Sequence, residues 1–193
     1  THHHFDHTGG NLDLQKKYKA KIIGFKKDQE RIPGIDIKLS NNEDFKLGNI
    51  NFKILFIPGH TSGHICFYAK SAKVIFTGDT LFSLGCGKVF EGTHVQMLRS
   101  LNLIKELPGN TQIYCGHEYT QKNLDFCTKY EINNSKLINK KKWIISRLDQ
   151  KLPTIPITIK EELNTNIFLR CDNSRVKKLL DMEDSTELEV FKR

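Results

Sequence analysis

The chain has 193 residues, 38% hydrophobic and 27% charged, which is enough apolar material for one good-sized domain with an appendage and too much for wholesale disorder. No run approaches ~18 uninterrupted apolar residues, which excludes a membrane-spanning helix; five cysteines without a C-x-x-C pair argue against a disulfide scaffold and a zinc ribbon. The net charge of +8 comes mostly from scattered lysines, Lys140-Lys141-Lys142 being the longest run, and it suits nucleic acid or a small anionic substrate without choosing between them.

In chain order, residues 11–20 are helix-compatible and 21–25 read as a strand, followed by the turn Pro33-Gly34. Residues 50–57 alternate, with Phe52, Ile54 and Phe56 on one face, and Pro58-Gly59 ends the run. Two apolar runs, 65–69 and 74–77, flank a short Lys-Ser-Ala-Lys turn and predict a hairpin. Met97, Leu98, Leu101 and Ile104 repeat at helical spacing over 94–107, which Pro108-Gly109 stops, and 111–115 reads as a buried strand. Beyond Glu118 the pattern turns helical, at 123–130 and at 135–148, where Leu137, Trp143, Ile144 and Leu148 form the apolar stripe and Trp143 is expected in the core. Residues 152–159, with Pro153 and Pro156, read as a linker. Thr158-x-x-Glu161 is a capping box, and 174–180 and 184–192 are further helices. The expected organisation is an α/β portion over 1–119 and a helical domain over 120–193.

The chemistry concentrates in Thr1-His2-His3-His4-Phe5-Asp6-His7. Alternate residues of an extended segment point one way, so His2 and His4 converge on one cation; Asp6 and His7, past a bend into a loop, face a second. A purification-tag remnant is the competing reading for three histidines, and the continuation Phe5-Asp6-His7-Thr8-Gly9-Gly10-Asn11 argues against it. The partners are His60 in Pro-Gly-His-Thr-Ser-Gly-His, Asp79 in Phe-Thr-Gly-Asp-Thr, and His117 in Tyr-Cys-Gly-His-Glu-Tyr. Each follows an apolar strand, and strands that aim ligands from their ends build a precise site. Asp79 is the natural bridge between two cations. His64 is expected to support the ligands by hydrogen bonding, His94 to start a helix at the surface, and His3 to point away.

These motifs resemble the metallo-β-lactamase superfamily and, within it, glyoxalase II, the hydroxyacylglutathione hydrolases. The resemblance runs nearly the whole length, through Arg31-Ile32-Pro33-Gly34, Phe-Thr-Gly-Asp-Thr-Leu-Phe, Gly85-Cys86-Gly87-Lys88, Glu91-Gly92-Thr93, Gly-His-Glu-Tyr-Thr and Asn166-x-Phe168-x-Arg170. It implies an αβ/βα sandwich with a C-terminal helical domain that helps hold glutathione. It further implies one metal at His2, His4 and His60, a second at Asp6, His7 and His117, and Asp79 bridging them. The ions would be divalent, zinc before iron or manganese. Lys88 and Tyr119 would contact glutathione, and Lys192 and Arg193 could add cations. The chain departs from the family pattern in four ways: no strands precede Thr1, the basic tail is short, Phe90 stands where many relatives have Tyr, and Ile167 replaces the Pro of Asn-Pro-Phe. A truncated chain is therefore expected.

The expected reaction is hydrolysis of a glutathione thioester such as S-D-lactoylglutathione, in methylglyoxal detoxification, with Asp6 orienting the attacking water. A thiol pKa near ~8.5 lets the sulfur leave without a strong acid. The competing readings are a mononuclear-iron persulfide dioxygenase or a nuclease of the same fold, or a truncated, non-catalytic metal-binding copy. Asp6 and the His117 motif favour two metals, and scattered lysines without interleaved aromatics disfavour nucleic acid. A cytoplasmic monomer with no nucleic-acid or membrane partner is expected, and an organellar leader would lie in a preceding segment. Arg170 is expected to form an ion pair among the helices.

Overall fold

A computed structural model describes residues 1–193. The chain opens on one helical turn, α1 (Phe5–Thr8), and a short helix, α2 (Asn11–Tyr18), before β1 (Ile22–Phe25) and β2 (Ile35–Leu39) pair in parallel. Next come β3 (Asp44–Leu47), β4 (Ile50–Phe56), β5 (Ile65–Ala69) and β6 (Val74–Gly78), an antiparallel meander in which each strand pairs with the next. A small hairpin, β7 (Leu81–Phe82) and β8 (Gly85–Cys86), leads to α3 (His94–Lys105), which crosses over to β9 (Gln112–Cys115), parallel to β6. The helices α4 (Thr120–Tyr130) and α5 (Ser135–Asp149) follow, then β10 (Ile157–Thr158), α6 (Ile159–Thr165), α7 (Ser174–Leu179) and α8 (Glu187–Lys192).

The main sheet has the order β10-β9-β6-β5-β4-β3. Its two faces follow the alternation of its strands. Leu55, Cys66, Tyr68, Ile75 and Ile113 enter a core of 24 buried residues shared with α3 and the later helices. Phe52, Ile54, Ile65 and Ala69 face the other way, into a cluster of only six closed by Phe25 of β1 and Leu39 of β2. Most of the hydrophobic stabilisation therefore lies on the helical side of the sheet. α3 starts on a capping box between Thr93 and Gln96, and α6 on the expected one between Thr158 and Glu161.

Four details differ from the sequence reading. Asp6 and His7 sit on the turn α1, not in a loop. Residues 152–159 are not merely a linker, because Ile157 and Thr158 pair with Ile113 and Gln112 and extend the sheet. Strands β2 and β3 were not foreseen, although Ile35, Ile37 and Leu39 alternate. Trp143 is 42% exposed and Leu148 is 38% exposed. On α5 only Leu137, Lys140 and Ile144 are buried; Trp143 is rotated ~100° from Ile144, off that stripe. Arg170 does form its ion pair, with buried Glu131.

Candidate metal centre

Strands β4, β6 and β9 run in one direction, so the loops after their C-terminal ends gather at one edge of the sheet. His60 follows β4, Asp79 follows β6 and His117 follows β9. The opening segment crosses this edge, held by the Thr1 carbonyl accepting from the Ile65 amide at 2.9 Å. His4 caps the start of α1 in extended geometry, and the turn then presents Asp6 and His7. Close approach dictates two glycines. Gly78 has φ +49°, and a Cβ there would meet Thr1 and His64; a Cβ on Gly116 would overlap Asp79 and His7.

Two groups of donors result. His4 Nδ1 lies 3.1 Å from His2 Nε2 and 3.1 Å from His60 Nε2. His117 Nε2 lies 3.2 Å from His7 Nε2 and 3.0 Å from Asp6 Oδ2. Asp79 stands between them, with Oδ1 3.2 Å from His7, and Oδ2 3.4 Å from His117 and 3.7 Å from His60. All seven sequence-predicted ligands are thus brought together, as the overlapping groups His2–His4–His60, His2–His7–Asp79 and Asp6–His7–His117.

These residues fit metal ions. Donors ~2.0–2.1 Å from one tetrahedral ion sit ~3.3 Å apart, close to the spacings found. His60 Nδ1 donates to the Lys88 carbonyl at 2.8 Å, which leaves Nε2 as a lone pair. His4 Nδ1 has at most one proton for two neighbours, so the three nitrogens cannot satisfy one another, whereas a central cation would satisfy all three. Asp79 Oδ1 is buried without a hydrogen-bond partner. Burial pushes the pKa of His2, His60 and His64 down, helped for His2 and His64 by neighbouring charges, and so favours neutral, ligating imidazole. For Asp6, slight desolvation is outweighed by a backbone hydrogen bond and by His7, His117 and His4, which hold the carboxyl below its usual range.

The supporting histidines take the expected places. His64 Nε2 accepts from the Asp79 amide at 3.0 Å and stacks on His2. His3 turns away, towards Asp28 at 3.2 Å and Glu91 at 3.3 Å, and His94 is exposed at the first turn of α3. A cavity of about 570 Å³ opens over the cluster, with His4, Asp6, His60 and Asp79 on its floor and Phe82, Lys88, Phe90 and Tyr119 on its walls. Tyr119 stacks on His117, with centroids 5.1 Å apart and rings 15° from parallel, and Lys88 Nζ lies 5.2 Å from the centre of the Phe90 ring. Lys192 and Arg193 are not brought to this cavity. They are exposed at the end of α8, which packs on α3, with Phe191 against His94. Sequence reasoning missed the walls Phe5, Phe82 and Glu91; the only signal was their closeness in the chain to predicted ligands and to Lys88.

Residues 1–117 match the family described as Metallo-beta-lactamase superfamily. Among solved structures, ETHE1 from Myxococcus xanthus superposes with a TM-score of 0.62 at 22% identity, covering 95% of this chain and 66% of that one. The BLEG-1 B3 metallo-beta-lactamase gives 0.62 at 23% identity, covering 87% and 74%. The fold and the histidine-aspartate centre therefore define a divalent-metal-binding protein of the metallo-beta-lactamase fold with a C-terminal helical domain. Residues 118–193 match the family described as Hydroxyacylglutathione hydrolase C-terminus. The hydroxyacylglutathione hydrolase of Pelagibacter ubique is 54% identical over 186 residues, 96% of this chain and 78% of the relative. That of Methylococcus capsulatus is 42% identical over 191 residues, 99% and 75%. The chain belongs to the hydroxyacylglutathione hydrolases, a family of enzymes.

Proposed function

We propose that the chain hydrolyses S-(2-hydroxyacyl)glutathione, such as S-D-lactoylglutathione, to a 2-hydroxy acid and glutathione, in methylglyoxal detoxification. The observation that carries this reading is the convergence of seven metal donors, four of them on the floor of a cavity walled by a lysine and a tyrosine. His2, His4 and His60 would hold one divalent ion and Asp6, His7 and His117 a second, with Asp79 serving both; zinc comes before iron or manganese. Such ions, when bound, supply the Lewis acidity that brings the pKa of water from about 15.7 towards ~7 and polarises a carbonyl.

The chain's own groups do the rest. Asp6, ionised and 58% exposed at the mouth, orients the attacking water by accepting its hydrogen bond. Asp79 keeps its carboxylate between the two donor groups. Lys88 is an exposed point charge suited to a glutathione carboxylate. Tyr119, steadied by His117 and by the edge of Phe82 at 5.2 Å, offers a hydroxyl to the peptide part. The leaving thiolate needs no strong acid, since thiols ionise near ~8.5. A monomer acting in a reducing, cytoplasmic setting on a small molecule, without nucleic acid or membrane, completes the reading. Five free cysteines suit a reducing setting.

Metal stoichiometry combined with thiol release from S-D-lactoylglutathione tests it. Two ions per chain with turnover are expected. Bound metal without thiol release, or a single iron with oxygen uptake, overturns the reading.

A further inference from the structure

Arg31 lies outside both the metal donors and the cavity walls, yet its contacts reach towards both. It sits with Asp28 on a 3-10 turn, Lys26–Arg31. Its Nε donates to Asp28 Oδ1 at 2.6 Å, its Nη1 to Glu91 Oε1 at 2.6 Å and its Nη2 to Ser62 Oγ at 2.9 Å. Glu91 Oε2 in turn accepts from the Ser62 amide and hydroxyl, each at 2.8 Å. Asp28 and Glu91 then meet opposite sides of one imidazole, that of His3. His3 stands between two metal donors in sequence and contributes to neither group.

The network joins three segments that are far apart in the chain. The first is the donor segment His2–His4, reached through His3. The second is the His60 loop, reached through Ser62 and through Gly63, where a Cβ would overlap the Asp28 carboxylate. The third is the strap 88–92, reached through Glu91. That strap lies along the His60 loop. The Lys88 carbonyl accepts from His60 Nδ1 at 2.8 Å, the Phe90 amide donates to the His60 carbonyl at 3.3 Å, and the Gly92 amide to the Gly59 carbonyl at 3.1 Å. The strap's backbone therefore holds a metal donor while its side chains wall the cavity. Asp28 is 1% exposed, and a carboxylate so buried persists only if fully paired. Although burial opposes it, the Ser62 amide and Arg31 hold the Glu91 pKa down at about 2.

We infer that Asp28, Arg31 and Glu91 are positioning residues with two separable arms. Asp28, through His3, sets His2 and His4 for metal capture. Glu91, through Ser62, sets the Lys88–Phe90 strap for substrate capture. Arg31 couples the two arms, because its planar fork spans both carboxylates. The second arm rests on the hydrolase reading given above; the first does not.

The test uses the full chain with Asp28→Asn, Glu91→Gln and Arg31→Lys. Metal affinity is read by chelator competition, and KM and kcat on S-D-lactoylglutathione at saturating metal. Asp28→Asn should weaken metal binding by ~10–100-fold, the range for a lost partner behind a ligand, and leave KM within about twofold. Glu91→Gln should raise KM by about tenfold with kcat near wild type, and should lower metal affinity less than Asp28→Asn does, since a Gln oxygen can still accept from His3; Glu91→Asp, which keeps the charge, should recover most of the KM. Arg31→Lys keeps a cation without the fork and should move both readouts. Should Asp28→Asn fail to fold, His3→Ala removes the link through which Asp28 acts and should weaken metal binding with KM near wild type, while Ser62→Ala removes only the hydroxyl contacts and should raise KM alone. Variants that shift only the melting temperature, or that move both readouts together whichever arm is cut, overturn the proposal. Wild-type chain that binds metal without cleaving the thioester would defeat the hydrolase reading, while the Asp28 arm would still be read by chelator competition.

Discussion

His2 and His60 are 2% and 5% exposed, whereas the side chains of Asp6 and His117 are 58% and 27% exposed. One half of the centre is thus the more sealed, although its His4 and His60 reach the cavity floor, and the other is the more open, through Asp6. The sealed half is reinforced by the His60 bond to Lys88 and by His64 stacked beneath His2. The open half rests on one helical turn and on the stacking of Tyr119 over His117. The contrast suits a division of labour: the buried imidazoles fix position and stay neutral, while the exposed carboxylate meets water and substrate. Asp79 is the carboxylate that stands between the halves, where the His2 and His7 rings also meet.

The largest effect is therefore expected from Asp79→Ala. Loss of the shared carboxylate should empty both halves and lower kcat/KM by more than ~10³-fold. Elemental analysis showing one ion retained would mean that the halves bind independently and that Asp79 belongs to one of them. Lys88→Ala comes next. It leaves the His60 hydrogen bond intact, because that bond uses the backbone carbonyl, so metal content should not change while KM rises about tenfold for a lost charge-assisted contact. An unchanged KM would make Lys88 an ordinary surface lysine.

Acid should expose the sealed half in the metal-free protein. His2, His60 and His64 have folded pKa values below their usual ~6.5, so below that pH the unfolded chain binds protons that the folded chain refuses. Stability is held above about pH 6.5 and is lost as the pH falls through the depressed values. The depressed Glu91 carboxyl adds a second loss below its unfolded value of ~4.3, complete only near its folded value of about 2. Melting temperature followed against pH should fall in this order, and His64→Gln should flatten the first limb. A melting temperature level from pH 7 to 5 would show that the buried imidazoles titrate normally in the folded chain.

The centre was more legible in the sequence than the fold around it. A ligand must have one of a few side chains; spacing marked His-x-His-x-Asp-His, and His60, Asp79 and His117 each stand just past a strand, so residue type and position marked them together. Strand β10 has only two residues, and its pairing with Ile113 and Gln112 depends on where α5 ends, which local periodicity does not encode. Trp143 was misplaced for a related reason: hydrophobicity marks α5 as amphipathic, but the width of its buried stripe is set by its packing neighbours, which bury Lys140 against Glu162 while Trp143 stays 42% exposed. Arg31 and Glu91 showed only as parts of family motifs, since an ion pair between residues 60 apart leaves no trace in spacing.

The smallest expected effect concerns the chain's last two residues. Charge alone made Lys192 and Arg193 candidates for holding an anionic substrate. In the structure Phe191, 8% exposed, turns α8 onto α3, and neither residue reaches the cavity wall that Lys88 and Tyr119 form. Exposed cations that do not line the cavity act on a bound substrate only through a field that salt screens within ~8–10 Å. Lys192→Ala with Arg193→Ala should therefore change kcat/KM by less than about twofold, and by less still as salt is added. A larger loss that persists at high salt would mean that α8 leaves α3 and delivers its end to the open half of the centre during turnover.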